Sequence, residues 1–168
     1  MSQTKGWTLA ELLIVLSLLA LILTLTIPSP DPAAAARRLA ASAESFAQLL
    51  QHGQRRALQL GLPHYVEFNP VAGCAVLSRQ SPCDCALASC LAEAEALLAV
   101  PIAVELAGPN FSGQVRAVFT PLRGMASAGH VQLANSDGQR LKLVLSRLGR
   151  VRICHMGAGE LRGYPSCD

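Results

Sequence analysis

The stretch GWTLAELLIVLSLLALILTLTIP, from Gly6 to Pro28, decides what the rest of the chain can be. Between Leu9 and Ile27 the only charged residue is Glu11, and the remainder is Leu, Ile, Val, Ala, Thr and Ser. A helix rises about 1.5 Å per residue, so about 20 apolar residues cross a bilayer core. The run is apolar on every side, which suits lipid or the middle of a bundle. Ser17, Thr24 and Thr26 are compatible with such a helix because each hydroxyl can bond a carbonyl one turn back. These residues predict a membrane helix, in contact with lipid.

Two plainer readings fit less well. A secretory signal has a basic head, a short apolar core and a small-residue cleavage site after that core. Lys5 supplies the head, but no A-x-A-like site follows, and the run is longer than a usual signal core. A simple anchor leaves Glu11 unexplained, because a carboxylate near the end of a spanning helix is costly and generally has a partner. Lys5-Gly6-Trp7-Thr8-Leu9-Ala10-Glu11, followed by the apolar run, resembles the class III signal of type IV pilins and pseudopilins. The resemblance implies that a prepilin peptidase cuts after Gly6 and that Trp7, the new first residue, is N-methylated. The family usually carries Phe where Trp7 stands. Glu11 becomes the assembly residue, its carboxylate neutralising the Trp7 amine of its own or a neighbouring subunit. Three parts follow: a leader at 1–6, a transmembrane and filament-core helix at 7–28, and a soluble periplasmic domain at 29–168. The chain would sit in the inner membrane with a single pass, then enter a pilus at the cell surface alongside other pilin subunits.

Removing a leader and a helix leaves about 110–130 residues, the size of one domain. Hydrophobic residues make up 51% of the chain and aromatic residues 4%, so the core must be mainly aliphatic. A formal charge of +3 is too mild to imply nucleic acid by itself. Its distribution is more telling, since Arg140, Lys142, Arg147, Arg150, Arg152 and Arg162 crowd the last stretch against only Glu160 and Asp168. The six cysteines suit disulfides in an exported domain. Cys154 and Cys167 frame a short loop and form the natural terminal pair, whose closure restricts the unfolded chain by about 3 kcal/mol. A Cys83–Cys85 bridge is strained, so Cys74 is expected to bond to one of them and Cys90 to the other. Zinc held by Cys74, Cys83, Cys85 and Cys90 is the alternative, although C-x-C-x₄-C is not a standard knuckle.

Pro28, Pro30 and Pro32 predict a break or kink after the membrane helix. Asp31 can cap a second helix, with Pro32 at its first position. That helix is expected over residues 33–60, with Leu39, Ala43, Phe46, Leu50, Gly53, Ala57 and Leu60 forming one face against the domain's own sheet. Gly61 and Pro63 stop it. The period then changes to two. Strands are expected at 64–68, 74–78, 102–106, 115–119, 130–134, 140–145 and 149–154, with a cysteine-bearing insertion at 83–99 that contains a short helix at 91–98. Asn135-Ser136-Asp137-Gly138 is a hairpin turn. A long helix against an antiparallel sheet makes an α+β domain.

Phe119-Thr120-Pro121-Leu122-Arg123-Gly124 and Ser146-Arg147-Leu148-Gly149-Arg150-Val151-Arg152-Ile153-Cys154 are similar to the GspH/FimT branch of minor pilins and pseudopilins. In FimT-type proteins of competent bacteria the Gly-Arg-x-Arg element binds incoming DNA, so the resemblance implies a DNA partner. The residues speak to the same point. On a strand Arg150 and Arg152 share a face about 6.6 Å apart, and guanidinium forks match phosphate oxygens. Gly149 permits a sharp turn before them; Arg147, Lys142 and Arg162 add charge. Such contact is independent of base sequence and sensitive to salt. The plainer reading is that paired arginines keep an edge strand soluble or bond acidic neighbours. Catalysis finds no support: His52, His64, His130 and His155 are scattered, and Glu93 and Glu95 read as solvated charge on a helix. No phosphate-binding glycine loop, cofactor or metal set is indicated. The reading is a minor pilin that takes up DNA for transformation, against a structural or initiating minor pilin without DNA binding, or a pseudopilin of type II secretion.

Overall fold

The computed structural model describes residues 8–25, 32–157, 161 and 163–167. It divides into two units, Met1–Asp31 and Pro32–Asp168. In the first, helix α1 runs over Leu9–Leu25. Its start is a reciprocal cap: Glu11 N–H donates to Thr8 Oγ1 at 3.3 Å, and Thr8 N–H donates to Glu11 Oε2 at 3.4 Å. Two of the orphan donors at a helix start are thereby satisfied. Ser17 Oγ donates to the Ile14 carbonyl at 2.8 Å, the back-bond that makes a hydroxyl tolerable among apolar neighbours. Among the described residues no helix is long and apolar enough to cross a membrane. Helix α1 has 17 residues, and the expected span and the proline break continue into residues 26–31, outside the described residues.

The second unit is built on helix α2, Pro32–Leu60. Proline suits a first helical position because its missing N–H has no partner there to lose. Leu39, Ala43, Phe46, Leu50, Gly53 and Ala57 are buried as the periodicity predicts, joined by Ser42, Ala47 and Leu49. Leu60 is not part of that stripe. It lies 42% exposed, with Leu58 and Leu62 also exposed around the helix end.

Among the described residues eight strands follow: β1 (His64–Asn69), β2 (Cys74–Ser78), β3 (Ala96–Ala99), β4 (Val104–Phe111), β5 (Arg116–Phe119), β6 (Gly129–Asn135), β7 (Arg140–Leu145) and β8 (Val151–Met156), with a one-turn helix α3 (Ala88–Leu91) before β3. They form two four-stranded sheets, ordered β3-β2-β1-β5 and β4-β6-β7-β8, rather than the single sheet expected. Every pairing between these strands is antiparallel. Helix α2 packs against both sheets. All four phenylalanines are buried. Phe68 of β1 stacks on Phe46 of α2 and on Phe111 of β4, with centroids 6.1 and 5.2 Å apart, so one aromatic column ties the helix to both sheets. Gly53 allows α2 to come down on Phe119, whose ring lies 3.0 Å from where a β-carbon would sit.

Two expected elements are different. The helix expected over residues 91–98 is not formed: α3 ends at Leu91, and the residues after it are not helical despite their Ala, Leu and Glu. The Cys74–Cys85 bond ties the insertion to β2 and the Cys83–Cys90 bond closes a loop within it, and the chain returns along β2 with Leu77 opposite Ala96 and Cys74 opposite Ala99. Tertiary pairing overrides local propensity here. Strand β4 starts later and runs further than expected, through Gly108-Pro109, because the register shifts between Ala107 and Asn110 and a bulge absorbs residues that otherwise break a strand.

Candidate functional site

The basic element lies in the hairpin turn between β7 and β8, residues 146–150. Ser146 closes it from both sides: its N–H donates to the Arg150 carbonyl at 3.0 Å, and its Oγ accepts from Arg150 N–H at 3.1 Å. Gly149 adopts φ +74°, a left-handed conformation that costs residues with a β-carbon about 1–2 kcal/mol. Arg150 thus stands at the end of the turn, and strand β8 begins at Val151, two residues later than expected. Arg152 follows on the strand, exposed, while Val151 and Ile153 pack against the core.

The turn is clamped from below by helix α2. Gln54 Nε2 donates to the carbonyls of both Gly124 (2.8 Å) and Leu148 (3.0 Å). The same side chain occupies the place that a β-carbon on Gly149 would take. A neighbouring loop, residues 120–127, is fastened to the turn by Ala126 N–H donating to the Arg147 carbonyl at 2.8 Å. It carries Arg123, exposed and at φ +61°. Arg123, Arg147 and Arg150 therefore share one end of the domain, with Leu122 (77% exposed) and Leu148 (75%) among them.

Beyond the turn, the outer face of the second sheet continues the charge. Arg152 lies opposite Val144, and Lys142 opposite Gln132 and Cys154, so Arg152 and Lys142 are diagonal neighbours on one face. His130, opposite Val144, shares that face; its own burial and then the Lys142 ammonium hold its imidazole below the usual pKa. Among the described residues no carboxylate forms an ion pair with Arg123, Lys142, Arg147, Arg150 or Arg152.

No protein-family model matches the sequence, and no characterised protein matches it on sequence. Solved structures do match its fold. The minor pseudopilin EpsH from the type 2 secretion system of Vibrio cholerae superposes with a TM-score of 0.52 at 12% identity, over 72% of this chain and 99% of that one. The type IV minor pilin FimU of Pseudomonas aeruginosa superposes with a TM-score of 0.53 at 14% identity, over 79% of this chain and 96% of that one. This is a type IV pilin-like fold. At such identities the likeness carries the architecture, a long helix packed on antiparallel sheets, and not the task.

Within this pilin-like fold the remaining predicted residues fall in separate places. Gly6, Trp7 and Arg162 lie outside the described residues. Glu11 is exposed and caps α1 with Thr8, a local role that the Thr8-Leu9-Ala10-Glu11 spacing already spells out. Cys154 and Cys167 are bonded, as are Cys74 with Cys85 and Cys83 with Cys90, which leaves no described cysteine as a free thiol for zinc. The tail held by Cys167 meets β8 at His155, where Ser166 pairs with it in parallel, and not at the arginine turn. Tyr164 then reaches α2, its hydroxyl donating to Glu44 at 3.1 Å; burial and that carboxylate raise its pKa.

One reading of a single side chain is corrected. Glu95 is not solvated charge: its carboxylate takes Arg56 Nε at 2.7 Å, Arg79 Nε at 3.5 Å and the fully buried His64 Nε2 at 3.3 Å. Its pKa falls, chiefly through the Arg56 hydrogen bond. His155 is half-buried, and its Nδ1 is buried without a hydrogen-bond partner among the described residues. Sequence reasoning missed Gln54 and Arg123 as parts of the basic end. Gln54 lies on the buried side of an amphipathic helix next to Gly53, a position where a long amide needs backbone partners; nothing in the sequence says which.

Proposed function

We propose that this chain is a minor subunit of a type IV pilus, assembled with other pilin subunits, and that its arginine turn binds the DNA backbone during uptake for transformation. One observation carries the reading: among the described residues Arg147, Arg150 and Arg152, with Arg123 and Lys142 beside them, have no carboxylate partner, on a turn clamped by Gln54. Free guanidinium forks on a fixed backbone suit phosphate oxygens. Residues 146–150 include no aromatic side chain on which bases of a single strand could stack. Duplex phosphates are the matching target.

In this reading prepilin peptidase releases residues 1–6 at Gly6, Trp7 becomes the methylated N-terminus, and residues 7–28 lie in inner-membrane lipid until assembly. The domain from residue 29 onward is periplasmic and then exposed on the pilus. The test is an electrophoretic shift of a duplex oligonucleotide by the full-length chain in detergent at low salt. A shift lost on replacing Arg150 and Arg152 with Ala supports the reading; no shift ends it.

A second reading is favoured by Leu122 and Leu148, which stand out between the arginines. Apolar side chains ringed by arginine suit a protein neighbour, as in a structural or initiating pilin or a secretion pseudopilin. Replacing both leucines with Ser separates the two. Loss of incorporation with DNA binding intact favours the structural subunit.

A further inference from the structure

We propose that the first half of β8 is a docking edge for an extended polypeptide strand with acidic side chains at alternate positions. Strand β8 is the outer strand of its sheet. Its even-numbered residues bond inward, as the Arg150 carbonyl does with Ser146 N–H. Its odd-numbered residues therefore turn their main chain outward. At His155 that outward pair is used: its N–H donates to the Pro165 carbonyl at 2.8 Å, and its carbonyl accepts from Cys167 N–H at 3.1 Å. The tail thus already forms a partial added strand, and it stops there.

Val151 and Ile153 present the same outward N–H and C=O groups, and these have no partner among the described residues. An open run of this kind is a template for strand addition. The side chains beside it select the occupant. Arg150 and Arg152 flank the open groups, both exposed and without ion-pair partners among the described residues, and Lys142 lies diagonally across. Acidic side chains every second residue on the incoming strand meet them.

A second copy of this chain does not fit. Its only alternating acidic run is Glu93-Ala94-Glu95, and Glu95 is committed to Arg56, Arg79 and His64. A phosphodiester does not complete the edge either, because it offers no donor to the carbonyls of Val151 and Ile153. The inference goes beyond DNA binding and does not need it: the two share the guanidinium groups, but only a polypeptide uses the main chain.

The experiment uses the full-length chain in detergent and a short synthetic peptide alternating Glu with Thr or Val. Hydrogen exchange followed by mass spectrometry reads the amides of Val151 and Ile153. Binding should slow them at least about tenfold, and N-methylation of alternate peptide amides should weaken affinity by about tenfold or more. A Lys-for-Glu peptide should not bind. Unchanged exchange at Val151 and Ile153, equal binding of the N-methylated peptide, or no binding at all overturns the proposal. A duplex titration of the same sample reports on the DNA reading separately, so either can fail alone.

Discussion

The side chain of Gln54 occupies the space where any residue but glycine at position 149 would place its β-carbon. Helix and turn therefore fit only as a pair. Gly149→Ala must both hold φ +74° with a β-carbon and push Gln54 off the carbonyls of Gly124 and Leu148. The expected loss is about 1–3 kcal/mol in urea unfolding. In a Gln54→Ala background the same change should cost less, and a double-mutant cycle measures that coupling. Equal cost in both backgrounds would show that the two residues act independently.

Replacing Arg150 and Arg152 with Ala removes two phosphate contacts if both reach DNA. The slope of log affinity against log salt should flatten by about 1.8 on duplex DNA, alike for all base sequences. Stability should change by no more than about 0.5 kcal/mol, since both side chains are exposed. An unchanged salt slope would remove these arginines from the interface.

Glu95 predicts a response to acid. The Arg56 hydrogen bond holds its folded pKa below the ordinary 4.5. Its contribution is complete above the unfolded value and is lost as pH falls through the lowered folded value. The stability gap between the native chain and Glu95→Gln should therefore be constant near neutrality and close between about pH 5 and pH 3. A gap that does not change over this window would show that the carboxylate is not held in its charged form.

For Glu11 the informative change is to Gln rather than Ala. Glutamine can still take the Thr8 N–H in the cap, because a capping box accepts either residue. It cannot neutralise an N-terminal amine. Glu11→Gln should keep α1 intact by circular dichroism yet enter pili poorly, whereas Glu11→Ala loses both. Full incorporation of Glu11→Gln would assign this residue to the cap alone.

The parts of the fold set by period were legible. Leu39 to Ala57 on α2 and Leu141, Leu143 and Leu145 on β7 are buried as their spacing requires. The turn at 135–138 joins the strands it was expected to join. What could not be read is what depends on distant partners. Residues 96–99 became a strand because they pair with residues 74–77 of β2, and Gly108-Pro109 stayed in a strand because a bulge took up the irregularity. Arg150 and Arg152 were legible as a charged pair. That Gln54 fixes the turn from nearly a hundred residues away, and that Arg123 joins it, follows from how the helix sits on the sheets; no local pattern encodes it.

The Cys154–Cys167 bond holds the tail against His155, whose outward N–H and C=O the tail engages. With that bond reduced, non-covalent contacts alone would keep the tail in place. Where the tail leaves, the outward groups of His155 become as bare as those of Val151 and Ile153, and the whole length of β8 lies open to strands of other molecules. The bridge therefore guards one end of an open edge, and a reduced chain should associate more readily than an oxidised one.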